Sequence, residues 1–431
     1  MLTASVMLAG TTLTTLFSFQ NIQNGYDPRP NLVIDTNGFL YGTTSAGGTN
    51  DVGTVFKLAP DGTLTELVVF NSTNGEPYGG LILGQDGNFY GTTFGTVFRV
   101  TPEGDYKVLV TFTGTNGREA FGPLIQASDG NFYGTTQFGG THDAGTVFKM
   151  LPDGTLTTIV SFNITNGFAP MGGLIEAADG NFYGTTSHGG DLGFGLAFKL
   201  TPAGELTTLV SFNYTNGYNP SASLIQAADG NLYGTTAGML SEPLGTVFRL
   251  TTNGVLTTLV SFNGTNGATP LAALMQANDG SLYGTTAYGG PSGRYGLGTI
   301  FSIAPDGTFT TVYAFTGTND GIHPRSTLVQ AADGNFYGVT SEGGAFSSGN
   351  IFKLSLPLRA VLQQPTIGSA TISLSWKAVT TQTYQVEYCA DLTLPVWNTL
   401  GDPIIATNGT VSASDTIGVA PRRFYRVSLL P

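Results

Sequence analysis

Apolar and polar positions along this chain alternate in short runs that never reach helical length. Between Leu174 and Asn213 the order is Leu174-Ile175-Glu176-Ala177, an Asp179-Gly180 turn, the aromatic and β-branched run Asn181 to Thr186, a glycine-rich loop, the run Gly195 to Leu200, a Pro202-Ala203-Gly204 turn, and Glu205 to Phe212. Runs of this length bounded by such turns predict a four-stranded antiparallel meander, strands A to D. Phe182 and Tyr183 are adjacent in strand B and project to opposite faces, so both faces of the sheet need cover. In strand D, alternation places Leu206, Thr208, Val210 and Phe212 on one face and Leu209 on the other.

The unit recurs. A Tyr-Gly pair stands at Tyr41, Tyr90, Tyr133, Tyr183, Tyr233, Tyr283 and Tyr337, at spacings of 49, 43, 50, 50, 50 and 54 residues. A second marker, Gly-Thr-Val-Phe or a near relative, begins at Gly53, Gly95, Gly145, Gly195, Gly245, Gly298 and Gly349. A period of this length means stacked or radial repeats, and seven sheets each packed between two others predict a seven-bladed β-propeller. The seventh unit has strands A, B and C over 327–332, 335–340 and 349–355 and then stops. The segment Thr12-Leu13-Thr14-Thr15-Leu16-Phe17-Ser18-Phe19 matches Thr155 to Phe162, a strand D, with no A, B or C before it. Residues 11–19 are therefore expected to close the last blade, since an open array would leave a sheet edge unpaired.

After residue 355 the period breaks. Ile372-Ser373-Leu374-Ser375-Trp376, Tyr384-Gln385-Val386-Glu387-Tyr388 and Arg423-Phe424-Tyr425-Arg426-Val427 alternate as strands behind a short Leu356-Pro357-Leu358 linker. The expected organisation is a propeller over 11–355 and a small β-sandwich over 359–431 that resembles a fibronectin type III domain. The first ten residues are apolar and end in small ones, which reads either as a remnant of a secretion signal or as a frayed terminus.

Meander geometry sorts the loops onto two ends. The A–B and C–D turns are uniform, with Asp86, Asp129, Asp179, Asp229, Asp279 and Asp333 each before Gly, and these aspartates read as turn formers. The B–C and D–A loops differ from blade to blade. They hold all three histidines, His142, His188 and His323, together with Asp51, Asp143, Asp191, Arg118, Arg294, Arg325, Glu342, Tyr26, Tyr78, Phe138, Phe168, Tyr218, Tyr288 and Tyr295. Loops on a rigid scaffold are where binding groups concentrate. In the second blade only Phe94 separates strands B and C, which predicts a notch in the rim. By chain direction, the strand after residue 11 starts, and the exit at Ser355 leaves, at the uniform end.

Charge narrows the partners. Only 10% of the residues are charged and the formal net charge is -12, which disfavours nucleic acid and acidic polymers. A single cysteine, Cys389, excludes an internal disulfide framework and a Cys-based zinc site, and it is expected to be a buried hydrophobe. No run of 18 apolar residues is present, so no transmembrane segment is expected. No cofactor is implied, and a monomer is expected.

The order Asp-Gly-Asn-Phe-Tyr-Gly-Thr-Thr, Gly-Gly, Gly-Thr-Val-Phe-Lys and Pro-Asp-Gly-Thr-Leu-Thr-Thr is similar to the Gloeo-Verruco (GloVer) tandem repeat of bacterial exported proteins. The likeness spans residues 11–355 and implies an exported or surface protein, often with a C-terminal anchoring or adhesive module. It brings no catalytic residues. The C-terminal Leu429-Leu430-Pro431 has no hydrophobic helix and basic tail before it, which departs from an anchored form.

No Gly-x-Ser-x-Gly, His-Glu-x-x-His, Walker A or EF-hand pattern occurs. His142, Asp143, His188 and Asp191, from adjacent blades, are the candidate constellation for acid–base work or a divalent metal. The repeated strand-B tyrosines read as core, and the loop aromatics Tyr26, Tyr218, Tyr288 and Tyr295 as candidates for stacking on sugars. The expectation is a non-catalytic extracellular binding or adhesion protein that presents its variable loops, Phe138, Arg294, His323 and Arg325 among them, to a carbohydrate or surface partner. The alternatives are a polysaccharide lyase or hydrolase on the same face, and a structural spacer. Histidines and carboxylates gathered at the axis would favour the enzyme, an apolar or aromatic patch the binder, and a featureless face the spacer.

Overall fold

The computed structural model describes residues 11–29, 31–73, 75–239, 241, 244–317, 319–356, 364–368, 371–378, 382–390, 396–416 and 423–430. The signal-remnant reading of residues 1–10, and Pro357 and Leu358 of the linker, lie outside these. The chain divides into two compact units, Met1–Ser355 and Leu356–Pro431.

The first unit is a seven-bladed β-propeller whose antiparallel sheets follow one another along the chain. In blade 4, strand A is Ile175–Glu176, B is Phe182–Thr186, C is Leu196–Leu200 and D is Leu206–Ser211, in that spatial order. The last blade is completed by Thr12–Ser18, which pairs antiparallel with Asn350–Ser355 from Thr12↔Ser355 to Ser18↔Asn350. Both ends of the array thus share one sheet, and Thr12 and Ser355 lie together at the uniform end.

One detail of strand D departs from strict alternation. Phe198 faces Thr208 and Ala197 faces Val210, leaving Leu209 as an extra residue in a bulge. Thr208 and Val210 consequently sit on opposite faces rather than one. Adjacent C residues must take opposite sides, and the bulge absorbs the added residue while increasing the local twist. The same irregularity recurs in the C–D pairs of the other blades.

The repeat Phe/Leu-Tyr-Gly-Thr-Thr is explained position by position. The glycine is a seat: a Cβ on Gly184 would lie 2.6 Å from Cζ of Phe198, and the corresponding gap is 2.6 Å at Gly42, Gly91, Gly134, Gly234 and Gly338 and 2.5 Å at Gly284. The seated C-strand phenylalanine meets the D-strand phenylalanine of the preceding blade. Phe162–Phe198, Phe212–Phe248 and Phe315–Phe352 have ring centroids 5.4, 5.2 and 5.5 Å apart, and Phe19–Phe56 repeats the contact at 5.3 Å across the closure. Each buried ring contributes roughly 2 kcal/mol by area.

The tyrosine reaches the other neighbour. Tyr133 packs on Phe182 of the next blade at 4.3 Å, and Tyr41 on Phe89 and Tyr90 on Phe132 at 4.2 Å. Its hydroxyl donates back to the turn aspartate, as in Tyr183 Oη to Asp179 Oδ2 at 2.7 Å and Tyr133 Oη to Asp129 Oδ2 at 2.9 Å. The last threonine bonds the first of strand C, Thr136 to Thr146 at 2.7 Å. Between blades, Gln226 Oε1 accepts from the Ala178 N–H and Gln276 Oε1 from the Ala228 N–H, both at 2.8 Å, tying successive A–B turns together.

The second unit is a β-sandwich. One sheet holds Thr366–Ile367, Thr371–Lys377 and Thr410–Thr416, and the other holds Asn398–Thr399, Thr383–Cys389, Ile404–Ile405 and Phe424–Leu430. Trp376, Tyr384 and Val386 fill the space between the sheets, and Cys389 is buried.

Two outcomes follow. Gly184→Ala is expected to destabilise by about 2–3 kcal/mol through overpacking, and adding Phe198→Leu should recover part of that loss; denaturant midpoints of the single and double variants measure the non-additivity. Burial, reinforced by the hydrogen bond to the aspartate, holds the Tyr90 and Tyr233 hydroxyls up at about 12, against an ordinary value near 10. A folded-state pKa raised in this way stabilises the fold fully below pH 10, and that contribution is lost as pH rises through 12. Urea midpoints should therefore fall steadily from pH 10 upward; a midpoint unchanged between pH 8 and 12 would contradict the assignment.

Candidate functional site

The variable end converges on the axis through one position per blade. After one residue of each D–A connection (Pro28, Pro77, Ala120, Pro170, Pro220, Pro270 or Pro324) come Arg29, Tyr78, Phe121, Met171, Ser221, Leu271 and Arg325, and all seven line one cavity of about 180 Å³. Equivalent residues from every blade share a cavity only at the pseudo-symmetry axis. The next layer adds Asn31, Pro123, Ser223, Ala273 and Thr327.

The wall of this mouth is backbone against backbone. A Cβ on Gly172 would lie 2.6 Å from the Ala222 carbonyl carbon, and one on Gly122 would lie 2.7 Å from Gly173 N. Thr135 and Thr185 of strand B donate across the blade interface to the Gly172 and Ala222 carbonyls at 2.9 and 3.2 Å.

The D–A corner that presents each mouth residue is strained. Asp27, Glu119, Ala169, Asn219, Thr269 and His323 all have positive φ, from 52° to 59°. A left-handed β-branched residue such as Thr269 is costly, by roughly 1–3 kcal/mol. Hydrogen bonds on both sides hold the corner: Thr269 N–H donates to Leu244 O of the preceding blade at 2.8 Å, and its carbonyl accepts from Ala287 N–H at 3.0 Å. The mouth residue is thus fixed by two adjacent blades.

Blade order gives the mouth two sides. Arg325, Arg29, Tyr78 and Phe121 come from successive blades 7, 1, 2 and 3, and Met171, Ser221 and Leu271 complete the circle. The Arg29 guanidinium lies 4.2 Å from the Tyr78 ring centroid and pairs with Asp27 at 2.8 Å. Tyr78 packs on Phe94 and Phe121 at 4.4 and 5.0 Å, so the notch expected at Phe94 is occupied by an aromatic trio.

Outside the mouth, the candidate residues form an arc of rings. Arg118 lies 4.6 Å from the Phe138 centroid, and from there Phe138–Phe168, Phe168–His188 and His188–Tyr218 follow at 5.9, 6.0 and 6.4 Å, with Phe194 5.3 Å beyond Tyr218. All of these rings are half-buried. Burial lowers the His188 pKa, disfavouring its charged form.

The constellation His142, Asp143, His188 and Asp191 is dispersed. Asp143 accepts a forked ion pair from Arg118, at 3.1 and 2.9 Å, and caps Gly139 N–H at 2.9 Å. His142 is exposed beside Thr141, His188 belongs to the arc, and Asp191 is exposed. Among the described residues no three His, Cys, Asp or Glu side chains stand as a metal-ligand set.

A second small group joins blades 6 and 7. His323 packs on Tyr288 at 4.5 Å and its Nδ1 lies 3.2 Å from Glu342, while Arg325 Nη2 donates to Tyr288 Oη at 3.5 Å. Tyr26 is half-buried in its own blade, where burial and then Asp51 raise its pKa. Arg294 bonds the Ser241 carbonyl at 3.3 Å, and Tyr295 is 72% exposed. Arg325 and Tyr78 were legible as candidates from the loops, but Arg29, Phe121, Met171, Ser221 and Leu271 were not. The signal for them was the first of three variable positions between a recurring proline, replaced by Ala120 in the third blade, and a recurring leucine.

A model of the Gloeobacter/Verrucomicrobia repeat matches residues 4–117, 93–239 and 179–363. The chain belongs to that repeat family. No curated protein sequence matches it. By fold this repeat protein is similar to virginiamycin B lyase from Staphylococcus aureus, with a TM-score of 0.59, 14% identity and 80% of this chain covering 100% of that one. A catalytically inactive variant of that lyase, with quinupristin, matches at a TM-score of 0.58 and 15% identity over the same shares, 80% and 100%. An extracellular domain described as part of a hybrid two-component system from B. thetaiotaomicron matches at 0.53 and 11% identity, with 98% of this chain covering 56% of that one. These likenesses establish the propeller. Among the described residues of this repeat-family member, no helix is long and apolar enough to cross a membrane.

Proposed function

We propose that this member of the repeat family is an extracellular binding protein whose variable propeller face takes a carbohydrate, with its fibronectin type III-like C-terminal sandwich as an accessory module in adhesion. The observation that carries the reading is the run of half-buried rings from Phe138 through Phe168 and His188 to Tyr218. Sugar rings offer apolar C–H faces to aromatic side chains, and rings already packed on one another lose little freedom on binding. Among the described residues, the mouth lining contains no histidine and no carboxylate, which favours binding over acid–base cleavage.

The test is thermal unfolding of the full chain against neutral oligosaccharides, with release of reducing ends followed in the same samples. A ligand at a hundred times its dissociation constant should add about 2.7 kcal/mol without release of reducing ends. Tyr218→Ala and Phe168→Ala should each weaken binding by about 1 kcal/mol, the scale of one aromatic contact, after correction for their unliganded melting curves. Reducing-end release would instead support the lyase or hydrolase reading.

A further inference from the structure

We propose that the axial mouth is a site for a single acidic sugar, a hexuronic acid residue, with the carboxylate held at Arg325 and Arg29 and the ring laid toward Tyr78 and Phe121. The inference rests on the carbohydrate reading above and adds the charge and the subsite.

The two cations differ in compensation. Arg29 is balanced by Asp27 at 2.8 Å. Arg325 makes one long hydrogen bond, 3.5 Å to the Tyr288 hydroxyl, its Nε, like that of Arg29, has no partner, and among the described residues it forms no ion pair. A half-buried guanidinium without a counter-charge is an unfavourable arrangement that an incoming carboxylate relieves, by a charge-assisted and geometrically matched pair.

The lining supplies the rest of a hexuronate's chemistry. Ser221 Oγ is buried without a hydrogen-bond partner, and Ser223 stands beside it in the cavity wall. Tyr78 and Phe121 present rings next to the arginines in blade order. The volume of about 180 Å³ is below the usual range for sites that take larger ligands, which suits one ring. The net charge of -12 opposes a polyanion spread over the surface but acts weakly on one carboxylate inside a mouth whose charged lining residues are both arginines, because bulk salt screens beyond about 8 Å. A single acidic residue or chain end reconciles the local and global charge.

The experiment is calorimetric titration of the full chain with glucuronate, glucose and benzoate. Glucuronate should bind at least about tenfold more tightly than glucose or benzoate, and Arg325→Gln should reduce it to the level of glucose. Ser221→Val, which narrows the mouth away from both cations, should weaken glucuronate as well, and Arg325→Lys should lie between wild type and Arg325→Gln. Unliganded melting curves of each variant separate lost binding from lost folding. Equal binding of glucose and glucuronate, or glucuronate binding unaffected by either Arg325→Gln or Ser221→Val, would overturn the acidic-sugar site. Either result leaves the neutral-oligosaccharide assay on the aromatic arc to decide the carbohydrate reading by itself. Benzoate binding equal to glucuronate would overturn the sugar assignment.

Discussion

The propeller depends on the contact between a strand-B glycine and the strand-C phenylalanine above it. In all seven blades a methyl group on that glycine would fall within about 2.6 Å of the ring's far carbon, well inside any tolerated approach. The glycine lets the phenylalanine lie flat enough across its own sheet to reach the D-strand phenylalanine of the blade before it. Every interface thus repeats one unit, and the closing interface is no exception, because Phe19 arrives on the N-terminal strand to face Phe56. Ring closure and blade packing are the same interaction.

That uniformity frees other positions. The tyrosine–aspartate bonds recur in all seven blades, the threonine pairs in five and the inter-blade glutamine bonds in four interfaces, so a blade can change its B–C loop or mouth residue without disturbing its neighbours. The D–A corners concentrate strain, six left-handed residues held by hydrogen bonds from two blades. Strain of this kind persists where a backbone must be placed accurately, and here it sets the residues that surround the axis. Their chemistry runs from guanidinium through aromatic and thioether to hydroxyl within one circle.

The fold was legible because its signals are local and repeated. Seven Tyr-Gly pairs and the stray strand at Thr12 specified blade count, strand order and closure. Alternation failed at Leu209, since a bulge shifts faces and leaves no distinct residue type behind. The site was harder to read. His142, Asp143, His188 and Asp191 stood out by residue type, yet Arg118 engages Asp143, and His188 makes edge-on contacts with Phe168 and Tyr218. Arg29 sits at a position filled elsewhere by Met171 or Leu271, and nothing in one blade distinguishes it from an ordinary loop residue. Only superposition of all seven repeats around an axis reveals that this position faces a common space.

The central claim is that scaffold and recognition are carried by separate positions of the repeat. It is tested most directly by comparing the thermal unfolding and the saccharide binding of a chain in which Arg29, Ser221, Leu271 and Arg325 are all replaced by alanine. The account predicts a single cooperative transition within a few degrees of wild type, together with loss of binding at the mouth. A collapsed or multiphasic transition would show that the mouth residues belong to the fold, and full retention of binding at the mouth would place recognition elsewhere.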